Sequence, residues 1–339
     1  MKTAFLTAAT AACTLPVLAM AEAPGFKLLS FDAPHHGRAV SGGIWYPADG
    51  DEHHTVMAEN PVFFGVDVAE DAALEPGNHP IVLLSHGLGG HIRSLAWLAA
   101  DLAERGAVVI AVNHPNSSWG DFDMDIGLNH WTRTEDLSLA LDTILDDPDF
   151  GPALNPDRIM AAGFSYGGWT ALSMAGLQGN LSGYAAHCDA YVASSTHCRD
   201  LEQGGIDLDS RAAQDWNASY KDSRITHVAA IDPAFVWGLT PADAADVGAE
   251  VTLFGLGEGA NRLMATDFDQ SGFLEVLPQA EVVRLAPAFH FSMLPLCKPA
   301  GAAILEDEND DPVCTDPEGA DRAQLHKAVA DRIAADLGL

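Results

Sequence analysis

Basic residues are scarce in this 339-residue chain: 17 lysines and arginines stand against 48 aspartates and glutamates, for a formal net charge of −31 at pH 7. That balance argues against nucleic acid as a partner, because phosphates would be repelled, and against docking to anionic lipid by charge alone. A salty external medium would screen the self-repulsion that so many carboxylates create. Beyond the first residues no apolar run reaches the length of a membrane span, so stable membrane insertion is not expected. No internal repeat is visible. Cysteine is sparse, with five in the chain, and they matter mainly for where the protein works.

The first residues read as a secretory signal. Lys2 supplies a short basic start, residues 4–18 are apolar, and Ala19-Met20-Ala21 offers a small-x-small cleavage site before Glu22. Cys13 lacks the aliphatic residue upstream that a lipoprotein site needs, so simple cleavage is the expectation. This divides the chain into a leader, residues 1–21, and an exported periplasmic or extracellular part, residues 22–339. Four cysteines remain in the exported part, an even set in an oxidising compartment, which favours disulfides over metal or redox chemistry. The pairs close in sequence are Cys188 with Cys198 and Cys297 with Cys314.

What the chain does contain is a series of short runs rich in Val, Ile, Leu and Ala, at residues 81–85, 107–113, 158–163, 225–231, 251–256 and 281–285. Little polar alternation interrupts them, as in strands buried on both faces of a parallel sheet. Helical patterns lie between them at residues 92–105, 134–145 and 168–177, and an amphipathic helix closes the chain at 321–337. The β-α-β-α order predicts an α/β fold with a doubly wound, mostly parallel sheet, preceded by an antiparallel pair over residues 26–46. Residues 180–223 are polar, carry two cysteines and break the rhythm, so they read as a cap or lid insertion. Residues 306–318 form a second polar excursion. Asp307, Asn309, Asp311 and Glu318 fall at calcium-loop positions there, but Pro312 stands where the sharp turn needs glycine, so a solvated acidic loop is the expectation.

Gly163-Phe164-Ser165-Tyr166-Gly167 follows one of these runs and opens a helix. A serine on so sharp a strand-to-helix turn adopts a strained backbone, and glycines two residues either side let neighbouring chain pass. Ser165 is therefore a candidate nucleophile. It needs an imidazole to take its proton and a carboxylate to orient that imidazole. His290 lies a few residues after the last strand-like run and is the candidate base. For the acid, Asp232 at the tip of the strand after the elbow and Glu258 one strand further on are equal on position alone. The Gly-rich loop Ser85-His86-Gly87-Leu88-Gly89-Gly90 follows a strand and opens a helix. It lacks both the Gly-Lys-Ser/Thr ending of a P-loop and the spacing of a dinucleotide fingerprint, so the backbone N–H groups of Leu88 and Tyr166 are the candidate oxyanion donors instead. Phe164, Tyr166, Trp169, Phe235, Trp237 and Phe291 lie near these motifs and are candidates for an acyl pocket or for plain core packing, with Trp169 read as core.

Several motifs in one order resemble α/β-hydrolases of the platelet-activating factor acetylhydrolase type, whose bacterial relatives include predicted dienelactone hydrolases. They are Ile44-Trp45-Tyr46-Pro47-Ala48, Leu84-Ser85-His86-Gly87-Leu88-Gly89, Ala111-Val112-Asn113-His114-Pro115, the elbow, Ala230-Ile231-Asp232-Pro233-Ala234, and Phe289-His290-Phe291. The resemblance implies that Asp232 is the acid, with Glu258 as the alternative, and that the oxyanion donors are the amides of Leu88 and Tyr166. It departs from the family in carrying Phe164 where the acetylhydrolases usually have histidine, in the long 180–223 insertion, and in Ser rather than the Cys of dienelactone hydrolase. The expectation is a Ser-His-Asp hydrolase of short-acyl carboxylic esters, small-molecule or lipid, with no cofactor and no metal. A peptidase or amidase using the same triad, and a non-catalytic binding protein, are the other readings.

Overall fold

Runs of β-branched and aliphatic residues become strands with both faces covered: His79–Ser85 and Val108–Val112 are buried at every position. The computed structural model describes residues 23–49 and 53–339, so the expected leader lies outside the described residues. The main sheet is built from β1 (Gly25–Ala33), β2 (Arg38–Tyr46), β3 (His54–Met57), β4 (Val66–Glu70), β5 (His79–Ser85), β6 (Val108–Val112), β7 (Leu154–Phe164), β8 (His227–Ile231), β9 (Glu250–Leu256) and β10 (Glu281–Leu285). Their spatial order is β10-β9-β8-β7-β5-β6-β2-β1-β4-β3. The block from β10 to β6 is parallel throughout. β2 joins it antiparallel through Ile44 against Ile110 and pairs antiparallel with β1.

Helices cover both faces. Leu137, Leu141 and Ile144 of α2 (Trp131–Leu145) and Trp169 and Leu172 of α3 (Tyr166–Met174) pack on one side. Leu98 and Leu102 of α1 (Ala96–Glu104), with Val329 and Ile333 of the C-terminal helix (Arg322–Asp336), pack on the other. Each buried leucine or isoleucine contributes on the order of 2 kcal/mol relative to exposure. Asp321 starts the C-terminal helix by accepting a hydrogen bond from the Gln324 amide, at 3.1 Å.

The expected strands and helices are present, with differences where local patterns were weak. The antiparallel hairpin of β3 and β4 was not expected, and it extends the sheet beyond the leading pair because β4 runs parallel to β1. The 180–223 insertion is largely helical, with α4 (Leu181–Tyr191) and α5 (Thr196–Gln203), each capped by a side chain, Asn180 and Ser195. Residues 306–318 begin inside a helix, Gly301–Glu308, that ends at Asn309 in the left-handed region with φ 55°. Asp307 thus sits in a helical turn, which does not present the loop a calcium site requires.

Both disulfides pair near neighbours, Cys188 with Cys198 between α4 and α5, and Cys297 with Cys314, with Cα atoms 5.0 and 5.8 Å apart. The second closes a stretch of 17 residues, for which chain-entropy reasoning gives about 3 kcal/mol. Replacing Cys297 and Cys314 together by serine should lower the unfolding free energy by roughly that amount. Urea denaturation of the double variant tests this, and an unchanged midpoint would refute it.

Candidate active site

β7 delivers the elbow. Ser165 has φ 57° and ψ −117°, a conformation that costs a non-glycine residue about 1–3 kcal/mol. Its surroundings hold it there: the Ser165 amide donates to the Ile231 carbonyl at 2.9 Å, and its own carbonyl accepts from the amides of Ala234 and Trp169 at 3.0 and 3.2 Å. The glycines are sterically required. A Cβ on Gly167 would strike the Ser85 carbonyl, and one on Gly163 would strike the Gly167 carbonyl. The end of β5, the end of β7 and the start of α3 therefore meet backbone to backbone.

The loop after β10 brings His290 across the elbow. His290 Nε2 lies 3.1 Å from Ser165 Oγ, and His290 Nδ1 lies 2.6 Å from Asp232 Oδ2. With Nδ1 donating to the carboxylate, Nε2 is left with a lone pair that accepts from the serine hydroxyl. In this arrangement an imidazole can take a proton from the serine while the carboxylate stabilises its charged form.

Asp232 is completely buried, and four groups satisfy it. Besides His290, Thr266 Oγ1 donates to Oδ2 at 2.8 Å, the Leu256 amide to Oδ1 at 3.1 Å, and Arg262 forms a short ion pair with Oδ1. Burial pushes the carboxyl up, but the hydrogen bond and charge of His290 and the Arg262 guanidinium outweigh it and hold it below the usual carboxylate range. Arg262 is itself fixed by the carbonyls of Leu256 and Thr266 and lies 4.8 Å over the Phe268 ring. Glu258, the alternative acid, is exposed at the start of the turn Gly259–Asn261 and stands apart from this cluster.

The Gly-rich loop passes close to the serine, since a Cβ on Gly87 would lie 3.3 Å from Ser165 Cβ. Among the described residues, neither the Leu88 amide nor the Tyr166 amide donates to a backbone carbonyl. Beneath the loop lies a buried polar layer. Arg133 on α2 donates to Thr170 Oγ1 (3.0 Å), Ser117 Oγ (2.6 Å), Ser85 Oγ (3.1 Å) and the His86 carbonyl, and lies 4.3 Å over the Tyr166 ring. His86 bridges neighbouring loops, with Nδ1 2.7 Å from the Gly87 carbonyl and Nε2 accepting from the His114 amide and lying 3.0 Å from Ser118 Oγ. Burial and the nearby Arg133 charge keep His86 far below its ordinary value and hold His114 at about 4.

The aromatic candidates divide. Tyr166 is buried, with Oη donating to the Gly127 carbonyl at 2.8 Å, and Trp169 is core as expected. Phe235, three residues past Asp232 with φ 57°, meets rings from the insertion: Tyr184 at 4.9 Å, and His197 and Trp216 at 5.7 Å. Trp237 stacks on His187 of α4 at 4.3 Å. Phe164 and Phe291 flank the His290 ring at 4.5 and 5.5 Å. Exposed Trp119 and Phe122 stand beside the Gly-rich loop: the Trp119 amide donates to the Gly90 carbonyl at 2.8 Å, and a Cβ on Gly89 would lie 4.0 Å from the Phe122 ring. Sequence reasoning passed over Arg133, Arg262 and Thr266. Arg133 had one detectable signal, a cation on a helix in a chain with few of them.

This architecture defines a class. Residues 80–216 match the family model of the alpha/beta hydrolase fold, and the chain has that fold. Over 89 residues it is 35% identical to Lipase 1 of Moraxella sp. (strain TA144), a match covering 26% of this chain and about a quarter, 25%, of that lipase. Among solved structures, a ferulic acid esterase from Streptomyces cinnamoneus superposes with a TM-score of 0.61 at 19% identity, over 95% of this chain and 91% of that one. A dienelactone hydrolase-like promiscuous phosphotriesterase from metagenomic libraries gives 0.50 at 14% identity, over 91% of this chain and 98% of that one.

Burial makes one prediction about pH. His130 and His326 are held at about 4, below their ordinary 6.5, chiefly by loss of solvent. A histidine depressed in the fold lets the unfolded chain bind more protons between those values, so stability should fall as pH drops from about 6.5 to 4. Thermal midpoints measured across that window check this, and a flat profile would contradict it.

Proposed function

We propose that the protein is an exported serine hydrolase of carboxylic esters. The observation that carries this reading is the chain of hydrogen bonds from Ser165 Oγ through His290 to buried Asp232. In the proposed reaction His290 takes the serine proton as Oγ attacks the ester carbonyl. The amides of Leu88 and Tyr166 stabilise the oxyanion, and His290 then protonates the departing alcohol. Water attacks the acyl-enzyme with His290 again acting as base. Asp232 keeps the imidazole in the tautomer that leaves Nε2 free to accept, and Arg262 and Thr266 keep Asp232 ionised and oriented.

Ester substrates are favoured over amides by the partial likeness to a lipase and by exposed Trp119 and Phe122 beside the loop that carries Leu88. A short acyl group is favoured by the aromatic cluster in which rings of the insertion meet Phe235, three residues past Asp232. In this reading residues 180–223 act as a cap, and residues 22–339 otherwise form one hydrolase domain. Export after removal of residues 1–21 is supported by the two disulfides, which belong in an oxidising compartment. A platelet-activating factor acetylhydrolase-like specificity stays within this proposal, as one short-acyl ester among those to be tried.

Ser165→Ala and His290→Ala should each reduce ester turnover by at least about 10⁴-fold while leaving the circular dichroism spectrum unchanged, and Asp232→Asn by roughly 10⁴-fold. A fluorophosphonate probe should label Ser165 alone. A panel of p-nitrophenyl esters of increasing acyl length should show a sharp fall beyond short chains. Turnover of peptide anilides without any of the esters would replace this reading by that of an amidase, and failure of Ser165 to label would leave a non-catalytic binding protein.

A further inference from the structure

Three residues along α2 from Arg133, Asp136 is completely buried yet surrounded by imidazoles. Its Oδ1 faces His35 Nε2 at 2.8 Å and His36 Nε2 at 2.9 Å, and its Oδ2 faces His114 Nδ1 at 2.8 Å. The two neighbouring histidines form the 3-10 turn Pro34–His36 between β1 and β2, closed by Gly37 in the left-handed region. The turn aims both rings at the same carboxylate oxygen, with ring centroids 4.2 Å apart. We propose that His35, His36 and Asp136 are the protein ligands of a zinc ion that braces the scaffold under the Gly-rich loop and takes no part in the ester chemistry.

Four observations point the same way. The candidate donor atoms, two imidazole nitrogens and one carboxylate oxygen, lie within 4.8 Å of one another. Ligands of a tetrahedral zinc, bound at about 2.0–2.2 Å, lie about 3.3 Å apart, so the ion fits after the two N···O separations open by roughly 0.5 Å. Two imidazoles with one carboxylate is a donor set suited to zinc rather than to calcium or magnesium, which prefer all-oxygen shells. Both histidines keep a slight exposure to solvent while Asp136 is sealed, giving an entry path.

One outer contact is of the kind that orients a metal ligand: His114 Nδ1 holds the second oxygen of Asp136 at 2.8 Å. Glu135 Oε1 stands 3.3 Å from His35 Nδ1, on the far side of the ring from the proposed ion, as a nearby charge. Asp136 and Glu135 balance the double charge. From Asp136 the path continues inward: His114 Nε2 is 3.0 Å from Ser85 Oγ, and the Ser85 carbonyl is the group against which Gly167 packs. An ion fixing Asp136 therefore restrains the end of β5, where the Gly-rich loop begins.

The untagged protein, dialysed against a chelator and then titrated with ZnCl₂ by calorimetry, should bind one equivalent saturably. Zinc should also raise its thermal midpoint. His35→Gln and His36→Gln should each weaken binding roughly tenfold or more, and the double variant should lose both the saturable binding and the thermal shift while remaining folded by circular dichroism. CoCl₂ should give visible absorption bands in the native protein and none in the double variant. Absence of saturable binding to the native protein, or binding of equal strength in the folded double variant, overturns the proposal. These readouts do not involve ester turnover, so they stand or fall separately from the hydrolase reading.

Discussion

The contact between the Ser85 carbonyl and the Cα of Gly167 is the constraint on which the rest of the site depends. No side-chain atom fits between the end of one central strand and the first turn of the helix after the next, so the two segments pack at backbone distance. That approach forces Ser165 out of the ordinary regions of backbone space, and three backbone hydrogen bonds around Ser165 hold it there. The cost is a few kcal/mol at most. A sheet whose central strands are buried along most of their length can sustain it.

Buried charge sets the second level of order. Asp232 and Asp136 both lie out of solvent, and each is satisfied on both oxygens. Arg262 lies beside the first, while Arg133 runs under the Gly-rich loop and meets four acceptors there. Removing one partner from such a group leaves an uncompensated charge, which costs far more than the pair contributes when intact. Fully bonded, these groups leave little freedom to the loops they join. In a chain with 17 cations, two of them are placed where they orient the candidate acid and the candidate oxyanion loop.

The insertion is joined to the elbow by a different route. Its two helices are tied by Cys188 and Cys198, and its rings reach Phe235 beside the Asp232 turn. Because Phe235 also packs on Tyr166 and Trp169, the insertion rests on the elbow helix rather than hanging from the sheet. One aromatic cluster thereby joins the insertion to the elbow helix.

Features written in local pattern were legible beforehand. The central strands, the elbow, the candidate base His290 and the short-range cysteine pairs each rest on residues adjacent in sequence or on a period of two or three to four. Asp232 and Glu258 could not be separated by position, since both follow strand ends. What separates them is the approach of His290, Thr266 and Arg262 to one of them, across 30 to 58 residues of chain. The same reason hid Arg133 and the His35–His36–Asp136 cluster, whose histidines stand 101 and 100 residues from the aspartate, whereas the edge hairpin was hidden by its weak local pattern. By itself the chain determined which segments are strands and where a strained serine stands, because backbone sterics and hydrophobic period act locally. Only the tertiary structure decided which buried charges meet, because a carboxylate taken out of water accepts whichever partners packing brings to it.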